Sequence, residues 1–274
     1  MHKRMFAPDQ ISQAVRVESG GLELDCAERL QIVTRPHKLV TLTDQCSPAA
    51  EKFRSLAIRL RSFQKRQCLK RLLITSSIKG EGKSVISANL AVTLAQGQRT
   101  LLIDCDLHQS GLRDVFGTSG QPGITEWWKD SISAVSFVRR MPGVALWYLS
   151  AGEGSEHPLQ ILQSERFSEM LNDFSRWFDW IILDSPPLVP VADSAAIAVH
   201  VDGTLLVVRQ ANTPKPLLKE ALKTENLKLL GIVANSWQGL EQSYYSRYYQ
   251  GYMSQRRVAS NNHPQLSSCL DTEL

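Results

Sequence analysis

In the run RLLITSSIKGEGKSVISANLAVTLA, residues 71–95, two glycines, a lysine and a serine stand at the spacing that phosphate chemistry uses. Gly80 and Gly82 let the backbone turn successive N–H groups inward toward anionic oxygens. Lys83 then reaches the β and γ phosphates, and Ser84, at a helix N-terminus, offers a hydroxyl to magnesium. The apolar residues before the loop predict a strand and those after it a helix, which is the context a phosphate-binding P-loop requires. Lys79, Gly80, Glu81, Gly82, Lys83, Ser84 and Val85 are therefore the candidate ATP-binding residues. The usual pattern GxxxxGK[ST] has a glycine where this chain has Ser77.

Two further apolar runs end in carboxylates. Asp104 and Asp106 follow Leu101 to Ile103, and Asp184 follows Trp180 to Leu183. In a parallel sheet all three would emerge at strand C-termini beside the phosphate loop. Magnesium takes such oxygens directly or through water. Ser84, Asp106 and Asp184 are the candidate metal residues, and Lys83, Asp104, Asp106 and Asp184 the candidate catalytic set.

These residues need elements to hold them. Short apolar runs alternate with amphipathic stretches, the signature of βα units, which predicts an α/β, three-layer P-loop NTPase fold with a mostly parallel central sheet. Strands are expected at Arg71–Thr75, Thr100–Asp104, Val144–Leu149, Trp180–Asp184, Thr204–Arg209 and Leu229–Ala234. Helices are expected from Ser47-Pro48 onward, with Phe53, Leu56 and Leu60 on one face, and at Lys83–Gln96, Ser164–Trp177, Ala192–His200 and Pro214–Thr224. Residues 1–45 read as an N-terminal extension that supplies a strand around Lys38–Leu42, residues 46–240 as the P-loop domain, and residues 241–274 as a flexible, tyrosine-rich tail.

The chain's 274 residues, 43% hydrophobic and 21% charged, suit one soluble α/β domain. A net charge of +4 with no long basic block does not call for nucleic acid. The densest basic stretch, Arg59, Arg61, Lys65, Arg66, Lys70 and Arg71, is read as a solvated helix face, with an anionic surface as the alternative. Cys26, Cys46, Cys68, Cys105 and Cys269 contain no CxxC pair and read as reduced thiols. No stretch has the roughly 18 uninterrupted apolar residues of a membrane span.

Taken together, ITSSIKGEGKS, LLIDCDL, FDWIILDSPP, VDGTLLVVR and the tail resemble, in order and spacing, the bacterial tyrosine kinases of capsular and exopolysaccharide biosynthesis, the P-loop tyrosine autokinases. The resemblance runs from about Val40 to Tyr252. It implies that Lys83 and Ser84 carry the first Walker motif, Asp104 and Asp106 the family's additional acidic motif, and Asp184 the second Walker motif. Lys83 would neutralise transferring phosphate, Ser84, Asp106 and Asp184 would organise magnesium, and Asp104 or Asp106 would help deprotonate the attacking tyrosine. Five of the six tyrosines, Tyr244, Tyr245, Tyr248, Tyr249 and Tyr252, fall in SYYSRYYQGY and would be the phosphoacceptors.

The resemblance further implies a membrane-spanning polysaccharide co-polymerase as activator, self-association, a protein tyrosine phosphatase as counterpart, and a cytoplasmic location at the inner face of the plasma membrane. Two departures stand out. The acidic motif commonly continues to an arginine where this chain has His108. The helix motif ExxRxxR appears as Glu51, Arg54 and Ala57, so its ring-forming contact is expected to be weakened. The competing readings are a partition or positioning ATPase, which would carry a lysine at the position of Ile78, and a catalytically weakened nucleotide-binding module. Asn235, ending the last strand, is expected either to bind the base or to cap a turn.

Overall fold

The structure is a computed structural model, and it describes residues 38–236 except residues 131 and 211. The N-terminal extension up to residue 37 and the tyrosine cluster of the tail lie outside the described residues. Seven strands form one sheet: β1 (Arg71–Ser76), β2 (Thr100–Asp104), β3 (Val138–Arg140), β4 (Leu146–Leu149), β5 (Trp180–Asp184), β6 (Gly203–Arg209) and β7 (Leu229–Asn235), in the order β3-β4-β2-β5-β1-β6-β7. All neighbours run parallel except β3 against β4.

Side-chain alternation divides the core. Leu72, Ile74, Leu102, Trp180 and Ile182 point to one face, where α1 (Val40–Thr43), α2 (Pro48–Gln67), α3 (Lys83–Ala95) and α4 (Gly111–Phe116) pack. Leu73, Leu101, Ile103, Ile181 and Leu183 point to the other. That face is covered by α5 (Ile124–Lys129), a 3₁₀ turn at Ala134–Phe137, α6 (Pro158–Leu162), α7 (Glu165–Trp177) and α8 (Asp193–Ala198). A final helix, α9 (Lys215–Ala221), precedes β7. Because both faces are covered, the central strands read as continuous apolar runs.

The expected strands and longer helices form within a few residues of their expected ends. Ser47 starts α2 as foreseen: its hydroxyl accepts the Ala50 N–H at 3.2 Å, and Pro48 occupies the first helical position. The sequence reading missed β3, a three-residue strand too short for alternation to register, and the one- to two-turn helices α4, α5 and α6.

The strand expected around Lys38–Leu42 is corrected to the helical turn α1. Asn89 of α3 decides this. Its Oδ1 accepts both the N–H and the hydroxyl of Thr41, at 3.1 and 3.0 Å, and its amide donates to the Lys38 carbonyl at 2.7 Å. Leu39 is thereby buried in the core, so residues 38–44, assigned by sequence to the extension, pack on the domain. Among the described residues no helix is long and apolar enough to cross a membrane.

Asn89→Ala removes the partner of Thr41 and Lys38 at a buried site and is expected to cost about 2–3 kcal/mol. The check is the urea midpoint, which should fall with an unchanged slope; an unaltered midpoint would show that Asn89 does not anchor this segment.

Candidate active site

Parallel strands place their C-termini on one edge, and the register there is specific: Asp104 of β2 lies directly opposite Asp184 of β5, while β1 continues past Ile74, the partner of Asp184, into the phosphate loop. The loop itself is built by the fates of its carbonyls. Leu188 donates its N–H to the Ser76 carbonyl at 2.8 Å and Val189 to that of Ser77 at 3.1 Å. The Ser76 hydroxyl donates to the Ile78 carbonyl at 2.8 Å, and Asn235 Nδ2 to the Glu81 carbonyl at 2.8 Å. In a planar trans peptide the C=O and the following N–H point opposite ways. Fixing the carbonyls of Ile78 and Glu81 outward therefore turns the N–H groups of Lys79 and Gly82 toward the hollow of the loop. Gly80 and Gly82 take φ of 88° and 90°, which a side chain would resist.

Helix α3 begins at Lys83, so the first-turn N–H groups of Lys83 and Ser84 face the same hollow and add the positive end of the helix dipole. Gly111 opens α4 beside them. A Cβ there would stand 2.4 Å from the Ser84 hydroxyl oxygen, so only glycine admits this approach.

Four charged groups meet at this edge. Lys83 Nζ lies 3.0 Å from Asp106 Oδ2 and both side chains are nearly buried. Ser87, one turn after Lys83, donates to Asp184 Oδ1 at 2.8 Å, whereas Asp184 Oδ2 is buried without a hydrogen-bond partner. Asp104 is fully buried with its oxygens engaged: Oδ1 accepts the Asp106 N–H at 3.2 Å, and Oδ2 accepts the hydroxyls of Ser110 and, at 3.4 Å, Tyr148. Burial pushes the Asp104 carboxyl up to about 7, with the neighbouring Asp184 charge adding to the effect and the Ser110 hydrogen bond opposing it. Burial also raises Asp184, against the Lys83 charge and the hydroxyls of Ser84 and Ser87. Burial disfavours the charged form of Lys83, but Asp184 and Asp106 outweigh it and its pKa is raised.

Three carboxylates against one lysine leave this buried edge short of positive charge, and the unpartnered Asp184 oxygen is where a cation would relieve it. Among the described residues no three acidic, His or Cys side chains gather closely enough to hold an ion alone. Magnesium does not require that, because it keeps waters and is bound through one or two carboxylates together with phosphate oxygens. Ser84 and Asp184 fit such a site.

The edge thus assembles Lys83, Ser84, Asp104, Asp106 and Asp184. The other expected residues divide. The side chain of Lys79 donates to Gln109 in the loop after β2, while its backbone N–H belongs to the cradle. The side chain of Glu81 is buried on the far side of the loop, away from the hollow, although its backbone belongs to the cradle. His108 contacts Asp193 of α8, 2.7 Å from Nε2 to Oδ2. Asn235 caps Ser236, whose N–H it accepts at 2.9 Å, as the turn reading required. Sequence reasoning missed Ser87, Ser110 and Gly111; Ser87 was legible as the residue one helical turn beyond Lys83.

Residues 72–258 match the model of the CobQ/CobB/MinD/ParA nucleotide binding domain. The tyrosine-protein kinase YwqD of Bacillus subtilis (strain 168) is 31% identical over 214 residues, covering 77% of this chain and 90% of YwqD. The succinoglycan biosynthesis transport protein ExoP of Rhizobium meliloti (strain 1021) is 33% identical over 182 residues, 64% of this chain but 23% of ExoP. The crystal structure of the VpsO kinase domain superposes with a TM-score of 0.61 at 33% identity, covering 70% of this chain and all of that one.

The raised Asp104 pKa makes a signed prediction for the metal-free protein. With about 3.9 for an unfolded aspartate and about 7 here, the folded chain holds the extra proton between these values. Stability from this group is therefore present at acid pH and lost as pH rises through 7. Urea midpoints measured in chelator from pH 5 to 8 should fall less steeply for Asp104→Asn than for the parent chain; parallel curves would refute the assignment.

Proposed function

The chain belongs to the CobQ/CobB/MinD/ParA nucleotide-binding domain family and, within it, to the bacterial tyrosine kinases, and from that premise we propose how the strand-end site transfers phosphate to tyrosine. It is an ATP-dependent protein-tyrosine kinase of exopolysaccharide and capsule biosynthesis. The observation that carries the mechanism is the Lys83–Asp106 pair, 3.0 Å apart at the mouth of the phosphate loop.

ATP would lay its β and γ phosphates in the hollow formed by the N–H groups of Lys79, Gly80, Gly82, Lys83 and Ser84. Lys83 then exchanges Asp106 for phosphate oxygens, a better partner because charge grows there during transfer. Magnesium, held by Ser84 and Asp184 when bound, supplies further neutralisation. The exchange frees Asp106, the least buried of the three carboxylates, to accept the proton of an entering tyrosine. A phenol near pKa 10 is mostly protonated at neutral pH, so that acceptor has work to do. The phenolate oxygen bonds to the γ phosphorus as the bond to the β-phosphate oxygen breaks, giving phosphotyrosine and ADP. Asp104, with both oxygens engaged, holds the Asp106 N–H and Ser110 in place.

Tyr244, Tyr245, Tyr248, Tyr249 and Tyr252 are the proposed acceptors, supported by their clustering beyond β7. A membrane-spanning polysaccharide co-polymerase is the proposed activator, which would bring a chain without a spanning helix among its described residues to the inner face of the membrane. The long relative ExoP, of which this chain matches 23%, is named for succinoglycan transport and supports that reading. Self-association and reversal by a tyrosine phosphatase complete the proposed cycle. The positioning-ATPase alternative loses support from Ile78, which stands where that group carries lysine.

Incubating the full chain with ATP and magnesium and mapping tail phosphopeptides by mass spectrometry tests the proposal. Lys83→Met, which keeps length and loses charge, should cut phosphotyrosine by about a hundredfold or more with circular dichroism unchanged. Undiminished phosphotyrosine would remove this loop from the reaction.

A further inference from the structure

A carboxylate inside a phosphate-binding loop is a liability unless it is turned away and hydrogen-bonded. Glu81 is both. Only 2% of its surface is exposed. Its Oε2 accepts the Ile78 N–H at 3.0 Å, closing the loop on itself. Its Oε1 accepts the hydroxyl of Thr213, from the turn after β6, and the Arg209 N–H at 3.4 Å. The main chain of the same residue is gripped from β7, where Asn235 Nδ2 donates to the Glu81 carbonyl. The orientation of that amide is fixed, since its Oδ1 is committed to the Ser236 N–H. Asn235 also explains Gly82: a Cβ there would fall 2.2 Å from Asn235 Nδ2.

We propose that Glu81, Thr213 and Asn235 form a clasp that holds the phosphate loop in its binding conformation from the side facing away from the nucleotide, which makes them positioning residues for ATP. The proposal rests on the reading of the loop as the ATP site. The reasoning follows from the peptide planes. Asn235 holds the Glu81 carbonyl outward and so keeps the Gly82 N–H inward. The Glu81 carboxylate holds the Ile78 N–H outward and fixes the turn from which the Lys79 and Gly80 N–H groups project. Thr213 supplies the hydroxyl proton that one carboxylate oxygen needs once it leaves water. Without the clasp the loop would spend binding energy on ordering itself before it could hold phosphate. All three side chains are engaged with one another's backbone or hydroxyl groups and with neighbouring main chain, so their effect on the reaction would pass through the shape of the loop and fall on nucleotide affinity.

The test is calorimetric titration of ADP with magnesium into the full chain and its variants, alongside unfolding midpoints without nucleotide. Thr213→Val keeps the shape and deletes the hydroxyl; Thr213→Ser restores it; Asn235→Ala removes the second grip. Thr213→Val and Asn235→Ala should each weaken ADP binding about tenfold, and Thr213→Ser should bind as the parent does. A merely structural role would lower the unfolding midpoint and leave the affinity of the folded variants within about twofold of the parent, and that result overturns the clasp. Absence of ADP binding by the parent chain overturns the ATP reading itself, and the clasp with it. If Asn235→Ala fails to fold, the Thr213 pair decides.

Discussion

The pairing of Lys83 with Asp106 is the interaction on which the rest of the site depends. A lysine and an aspartate drawn out of water gain from each other only when geometry and neighbouring hydrogen bonds are good, and here Asp104 and Asp184 add negative charge on the same buried edge. The edge is therefore stable in two ways: with Lys83 shared among carboxylates, or with added positive charge on the carboxylates and Lys83 turned to a phosphate. In the proposed mechanism nucleotide and metal would satisfy the second condition together. On that reading the resting Lys83–Asp106 pair would be the chemical precursor of the loaded site.

Such an edge can be built only where strand ends converge. In this sheet the two acidic strands β2 and β5 are neighbours in register, and β1 delivers the phosphate loop beside β5. The chain passes from β1 through α3 to β2, leaving a place between them that β5 later fills. Residues 83 and 184 are thus brought together by topology, and the Ser87–Asp184 hydrogen bond at 2.8 Å closes the junction between the helix that follows the loop and β5, the last of these three strands in the chain.

Much of this was legible in the sequence. Glycines, lysine and serine at fixed spacing announced the loop, and apolar runs ending in aspartate announced the acidic strands, because backbone conformation and burial each leave a mark on residue type. What was not legible depended on which side of a loop a side chain takes. Glu81 reads in sequence as one more residue of the cradle; its carboxylate is buried among Ile78, Thr213 and Arg209, partners up to 132 positions away. The turn at Val40–Thr43 read as a strand because its apolar content is ambiguous over so few residues, and its conformation is settled by Asn89, 48 positions along the chain from Thr41. The side chain of Lys79 donates to Gln109, 30 positions away, a pairing that its place in the loop motif does not announce.

The departures from the family pattern fall where they leave Lys83 and the three carboxylates untouched. Ser77 occupies a glycine position, yet it is absent from the described residues with positive φ and its carbonyl is held by Val189; the residue needs no glycine conformation, and its cost is a buried hydroxyl without a partner, about 1–3 kcal/mol at most. His108 ties the loop after β2 to Asp193 of α8, leaving Asp106 and Lys83 to each other. Ala57 is buried at 1% exposure against α3, while Glu51 and Arg54 pair with one another, Nε to Oε2 at 2.7 Å, on the outer side of α2. A longer basic side chain at position 57 would have to enter the core. The helix motif is thus altered where α2 packs into the core, whereas the loop, Lys83 and the three carboxylates sit at the strand ends, whose register none of the three departures disturbs.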